Sequence, residues 1–223
     1  MKKFLPILLI FILSFSFSAI FAEPTETVKV TEKQITSQTE KLNTNLKIPQ
    51  IEGMKNKVLQ AKLNAEFMKT IMQFKNDIQK QANEGDRFPY EAYATYFVSY
   101  NKNNVLSLTI ELYSYTGGAH GITIRKSYNI DLNSGKNLPL NDLFKKGYNY
   151  QDIINKEIKR QIDGAPEGYF FKDQFKTIKE DQPYYLTNDG IIICFELYEI
   201  APYATGFPEF LISYEMLKEG LAK

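Results

Sequence analysis

The hydrophobic period of this chain changes twice, and those changes constrain the fold more than any other feature. Leu42, Thr44, Leu46 and Ile48 alternate with polar neighbours, the period of a half-buried strand. Beyond Pro49 the spacing becomes three and four. Leu59, Leu63, Phe67, Ile71, Phe74 and Ile78 form one stripe over Met54–Gln81, the apolar face of an amphipathic helix. From Leu106 the period returns to two, with Leu106, Leu108, Ile110 and Leu112 on one side and Ser107, Thr109, Glu111 and Tyr113 on the other. One face is apolar and the other mixed, which predicts an antiparallel sheet with one covered side.

The remaining segments fill in the same plan. Val28–Ile35 and Glu40–Ile48 read as a hairpin stopped by Pro49, and Asn83-Glu84-Gly85-Asp86 ends the helix. Tyr93–Tyr100 is aromatic and β-branched, Asn103-Asn104 is a turn, and Ile122–Leu132 alternates again. Leu138–Phe144 predicts a short helical turn. Ile153, Ile154, Ile158 and Ile162 predict a second helix, stopped before Pro166. Tyr184–Thr187 and Ile191–Leu197, joined by Asn188-Asp189-Gly190, read as a hairpin. Phe210–Tyr214 is a last strand and Met216–Ala222 a terminal helical turn. Runs of strands broken by two helices predict an α+β fold: antiparallel sheets, one long N-terminal amphipathic helix and a second, shorter helix. The expected division is 28–132 for the hairpin, long helix and antiparallel strands, and 133–219 for the C-terminal helix and hairpin subdomain packed on it.

Residues 1–22 read as an address. Lys2 and Lys3 precede the apolar run Leu5–Phe17, and the stretch ends in Ala19-Ile20-Phe21-Ala22 before Glu23-Pro24. That is the order of a secretory signal peptide, with residues 23–27 as a tether; the alternative is an uncleaved membrane anchor, for which the apolar run is short of the ~20 residues a spanning helix takes. The expected location is extracytoplasmic: secreted, periplasmic or associated with the cell wall. No stable membrane insertion is expected after cleavage.

Composition excludes several chemistries. Lys and Arg total 27 against 26 Asp and Glu, a net charge of +1. That balance is not the electrostatic footprint of a nucleic-acid binder. One histidine cannot build a poly-histidine zinc site, and one cysteine cannot make an internal disulfide. No phosphate-cradling glycine motif is present. No cofactor or metal is expected.

Two segments carry a family resemblance. One is Tyr113-Ser-Tyr-Thr-Gly-Gly-Ala-His-Gly121 with Arg125-Lys-Ser-Tyr-Asn-Ile-Asp131 after it. The other is Tyr198-Glu-Ile-Ala-Pro-Tyr-Ala-Thr-Gly206 followed by Pro208-Glu-Phe210. Together with Ile48-Pro49 to Gly53, they resemble a paired module of unknown function found in bacterial extracytoplasmic proteins. It occurs in the outer domain of RsiV-type anti-sigma factors, which bind lysozyme, and in the non-catalytic N-terminal module of PdaC-type peptidoglycan deacetylases. The resemblance covers Val28 to Leu217 and implies an α+β fold. It implies a binding module whose ligand is peptidoglycan or an envelope-directed protein such as lysozyme. These 223 residues carry no sigma-binding segment and no deacetylase domain, so neither activity is carried over.

Gly117, Gly118 and His120 of the first motif, and Tyr198, Glu199, Pro202, Tyr203 and Gly206 of the second, are the candidate ligand-binding or loop-organising residues. The glycines give the first loop torsions closed to other residues. His120 reads either as a binding or acid–base group or as a ring that ties its loop to a neighbouring carbonyl or carboxylate. The two loops are expected side by side, with His120 near Glu199 or a backbone carbonyl of that loop. Cys194, in an apolar strand, reads as a small buried hydrophobe. Tyr113, Tyr115, Tyr184, Tyr185 and Phe207 add aromatic area near the loops or the last hairpin. The alternative is a small cell-wall glycan hydrolase using His120 with Glu111, Glu196, Glu199 or Glu209, since paired carboxylates are what glycoside hydrolysis needs.

Overall fold

The computed structural model describes residues 27–83 and 88–222. The expected leader, most of the tether and the Glu84–Asp86 helix exit lie outside those residues. Strands β1 (Lys29–Gln38), β2 (Leu42–Glu52), β3 (Tyr90–Lys102), β4 (Val105–Tyr115) and β5 (Ile122–Asp131) form one sheet in that spatial order. Helix α1 (Lys57–Gln81) lies between β2 and β3 in sequence. The architecture is mixed α+β.

Two corrections to the expected architecture follow from the position of α1. The long helix is not N-terminal, because two strands precede it. Nor is the sheet wholly antiparallel: β2 and β3 run parallel, with Leu42 opposite Tyr90 and Leu46 opposite Ala94. Parallel neighbours need a crossover connection, and α1 supplies it. Pro49 does not stop β2, which continues to Glu52. Proline removes a ladder donor and is tolerated where one side of a strand is free. Pro49 lies opposite Glu32 of β1, beyond the five-residue stretch that pairs with β3.

Helix α1 starts at Asn56, whose side chain accepts from the Leu59 amide, a standard N-cap. Its stripe is buried at Leu63, Phe67 and Ile71, in one core with Leu106, Leu108, Ile110 and Leu112 of β4. Phe74 is only partly buried, and Ile78 packs in a small separate cluster with Leu42 and Ala92. The turn at Asn103 and Asn104 is tight, with φ of 54° and 61°. Asparagine tolerates that left-handed region better than most residues.

The polar face of β4 departs from expectation. Ser107 and Thr109 are as buried as the leucines opposite, because a second layer covers them. That layer is a three-stranded antiparallel sheet of β6 (Tyr184–Leu186), β7 (Gly190–Cys194) and β8 (Glu209–Ser213). It shares a core with α2 (Tyr150–Asp163) and α3 (Tyr214–Leu217), built from Ile154, Ile158, Ile191, Ile193, Phe210 and Ile212. Polar groups join the two sheets. Ser107 Oγ donates to Asn129 Oδ1 at 2.7 Å and accepts from the Leu186 amide at 3.0 Å, while Asn129 Nδ2 donates to the Tyr184 carbonyl at 2.9 Å. Gly190 is required where the strands meet: a Cβ there would lie 2.2 Å from the Ile212 carbonyl oxygen.

Candidate functional site

The β4–β5 loop and the β7–β8 connection meet at one end of the molecule. His120 of the first loop stacks on Tyr203 of the second, ring centroids 4.2 Å apart and planes 21° from parallel. Tyr203 donates its hydroxyl to the Gly121 carbonyl at 3.1 Å. His120 Nδ1 lies 2.9 Å from the same carbonyl, and Nε2 lies 3.3 Å from the Tyr198 hydroxyl. A carbonyl only accepts, so Nδ1 is the donor in this arrangement.

The neighbours extend this contact into a ledge. Tyr198 lies beside Tyr203 at 5.5 Å, and Tyr113 stacks on Tyr93 at 5.8 Å. Gly121 lets Tyr113 approach, since a Cβ there would lie 2.4 Å from its ring. Tyr115 donates to the Gly118 carbonyl at 3.0 Å. Desolvation, followed by the charge of Glu91, pushes the Tyr93 and Tyr113 hydroxyls above the ordinary tyrosine range, so both stay protonated at neutral pH. Tyr198 is 51% exposed and holds a left-handed backbone at φ 67°. A tyrosine in that region is unusual, and such strain gathers at binding and switch sites.

The backbone of each loop is fixed locally. Gly117 and Gly118 take φ of 103° and 96°, and nothing crowds either position. Pro202 opens a short 3-10 turn over Tyr203–Thr205, which ends on Gly206 at φ 77° and ψ −153°, a conformation open essentially to glycine alone. Thr205 Oγ1 ties the turn to the Tyr169 carbonyl at 3.0 Å.

Glu199 does not meet His120. Its carboxylate takes Lys179 Nζ at 2.5 Å and the Glu196 amide at 2.9 Å, closing its own turn from within. The hydrogen bond to Glu199 raises the Lys179 ammonium above the usual lysine range. Burial raises Glu196 above the usual carboxylate range, and the Glu199 charge adds to the effect. Glu111 and Glu209 both bind Arg125, at 2.8 Å and 2.6 Å. Cys194 is buried, and desolvation drives its thiol far above the ordinary range, the reverse of a reactive cysteine. Among the described residues no cluster of three or more histidine, cysteine, aspartate and glutamate side chains is arranged to hold a metal.

Sequence reasoning singled out His120, Tyr198 and Tyr203 but passed over Arg125 as a site residue. It sits between Ile124 and Lys126 on a strand whose pattern reads as fold rather than site. Its only signal was its place in the first motif, four residues past the glycine loop.

Two family models match in tandem. Residues 35–123 match the PdaC deacetylase family, and residues 141–215 match a family of unknown function, DUF3298. The chain resembles the paired module made of these two segments. Each segment brings one loop of the ledge, so the ledge is one of the places where the two matched segments touch. The paired module is 28% identical over 198 residues to the anti-sigma-V factor RsiV of Bacillus subtilis, covering 82% of this chain and 67% of that protein. It is 25% identical over 170 residues to the peptidoglycan-N-acetylmuramic acid deacetylase PdaC of Bacillus subtilis, covering 74% of this chain but only 36% of the enzyme. One relative is thus named as a regulator and the other as an enzyme. Crystal structures of DUF3298-family proteins share the fold. The Bacteroides fragilis protein aligns with a TM-score of 0.69 at 20% identity, covering 88% of this chain and 94% of that one. The Pseudomonas aeruginosa protein aligns at 0.59 and 19%, covering 89% and 94%. Among the described residues no helix is long and apolar enough to cross a membrane.

Proposed function

We propose that this chain is a non-catalytic, extracytoplasmic binding module whose ligand is an envelope-directed protein of the lysozyme kind, engaged by the His120–Tyr203–Tyr198 ledge. The observation that carries this reading is the stack itself. An exposed tyrosine and histidine pinned by hydrogen bonds present aromatic area whose ordering is already complete before binding. Gly117, Gly118, Pro202 and Gly206 shape the two loops, and Glu199 closes the second from within. A tyrosine-rich ledge without tryptophan suits a protein surface better than a sugar chain, so peptidoglycan is the second ligand to try. The likeness to RsiV and PdaC supports work at the cell envelope, as does the leader-like start of the sequence. The division into residues 28–132 and 133–219 is part of the same proposal, with each part supplying one loop.

The alternative, a small cell-wall glycan hydrolase, has one feature in its favour. Glu196 is held toward its protonated form, as a general acid must be. Against it, Glu111 and Glu209 have their charge committed to Arg125, and Glu199 is bound by Lys179.

The test is direct binding of the purified module to lysozyme and, separately, to insoluble peptidoglycan, with Tyr203→Ala in parallel. Binding of lysozyme by wild type and its loss in Tyr203→Ala supports the reading. Release of reducing sugar from peptidoglycan, abolished by Glu196→Gln, would replace it with the hydrolase.

A further inference from the structure

We propose that Arg125 is the positioning residue that locks the second loop against the first. The consequence for ligand binding rests on the reading of the ledge as the binding face; the positioning itself does not. Arg125 stands opposite Glu111 across the β4–β5 ladder, four residues after the first loop closes at Gly121. Its Nε and Nη2 bind Glu111 Oε1 at 2.9 Å and 2.8 Å. Its Nη1 reaches out of the sheet to Glu209 Oε1 at 2.6 Å. Glu209 is the first residue of β8, directly after the second loop. The guanidinium carbon lies 4.0 Å from the centroid of Phe207, the residue that follows Gly206.

One side chain therefore holds the exit of the second loop by both a charge and a ring. The side chains of Arg125, Glu111 and Glu209 are 20%, 26% and 31% exposed, so solvent screens the group less than an open surface pair. A planar guanidinium bonds two carboxylates while offering its face to a ring, and a lysine ammonium does not. The loop needs such a hold because Gly206 is a natural pivot, in a conformation without side-chain constraint. Tyr203 stands before that pivot and Phe207 after it. The Ser107–Asn129–Leu186 seam lies elsewhere along β4 and β5, so the two sheets stay joined when Arg125 is replaced.

The experiment uses the only histidine of the chain as its reporter. The imidazole proton resonances of His120 feel the ring current of Tyr203 and need no ligand to be read. They are measured in wild type, Arg125→Met, Arg125→Lys and Phe207→Leu. Ile158→Val serves as a control, destabilising the α2 core without touching either loop. The expected result is that both Arg125 variants and Phe207→Leu move the His120 resonances toward free-histidine positions, while Ile158→Val leaves them in place. Lysozyme affinity should fall about tenfold in the same three variants. His120 resonances that stay at their wild-type positions in Arg125→Met and in Phe207→Leu would overturn the positioning role. If they move but wild type binds no lysozyme, the positioning stands and the lysozyme reading fails.

Discussion

Ser107 and Asn129 face each other across the β4–β5 ladder and share a 2.7 Å hydrogen bond with 0% and 2% of their surfaces exposed. Both then bond to the β6 backbone, at Leu186 and Tyr184. Two residues thus join one sheet to the other through polar atoms alone.

Ser107→Ala therefore removes the donor to Asn129 and the acceptor for the Leu186 amide. Each buried group left unpaired costs about 1–3 kcal/mol. Chemical denaturation should show a loss of ~2–4 kcal/mol. Ser107→Gly adds backbone freedom and should lose more.

Phe67 is fully buried beneath the sheet and meets Tyr128 edge-on at 5.2 Å. Phe67→Ala should cost ~3–5 kcal/mol through lost burial and the remaining cavity. A thermal unfolding midpoint equal to wild type would show that the α1 stripe is not core.

Gly121 and Gly190 both lack room for a methyl group, but their obstacles differ. A Cβ at 121 meets the outer end of the Tyr113 ring, which can swing; a Cβ at 190 meets the Ile212 carbonyl, which cannot. Gly190→Ala should thus be the more destabilising, by ~3 kcal/mol or more, against ~1 kcal/mol for Gly121→Ala. Gly121→Ala should instead displace Tyr113 and weaken ligand binding, as titration of each variant will reveal.

The raised Glu196 carboxyl gives a sign to one pH effect. A carboxyl whose folded value lies above its unfolded value favours the folded state when protonated. Its effect is absent well below the ordinary carboxylate range. Stability falls as pH rises through the unfolded value toward the folded one, and the cost is complete above the latter. Glu196→Gln should therefore unfold at a higher temperature than wild type at pH 7, with the difference disappearing near pH 3. An equal difference at both pH values would show that charge is not the cause.

What the sequence made legible is what period encodes. The Leu63–Phe67–Ile71 part of the α1 stripe, the apolar face of β4 and the Asn103-Asn104 turn depend on neighbours three or four positions away at most, and the structure has all three. What it hid depends on partners distant in the chain. Ser107 and Thr109 read as a mixed solvent face because nothing in residues 105–115 reveals that Tyr184–Leu186 will cover them. The parallel β2–β3 pairing is a fact of three dimensions with no local signature. At the site, glycine and proline marked the two loops, and aromatic residues marked their faces. The sequence places His120 near Glu199 or a backbone carbonyl of the Glu199 loop. Tyrosine won because Lys179, 20 residues before Glu199, takes that carboxylate.

The parallel β2–β3 pairing also bears on the order in which the chain assembles. The β3–β4–β5 meander closes through short connections, so its contacts cost little loop entropy. The β1–β2 hairpin is equally local by itself. Only five residue pairs join β2 to β3, and they pair only once the chain has turned back through the 25 residues of α1. The two hairpin systems are thus expected to form separately until that helix docks on the sheet. Pulsed amide exchange should find the meander protected first, with α1 docking and the β2–β3 register arriving together in a later, single step.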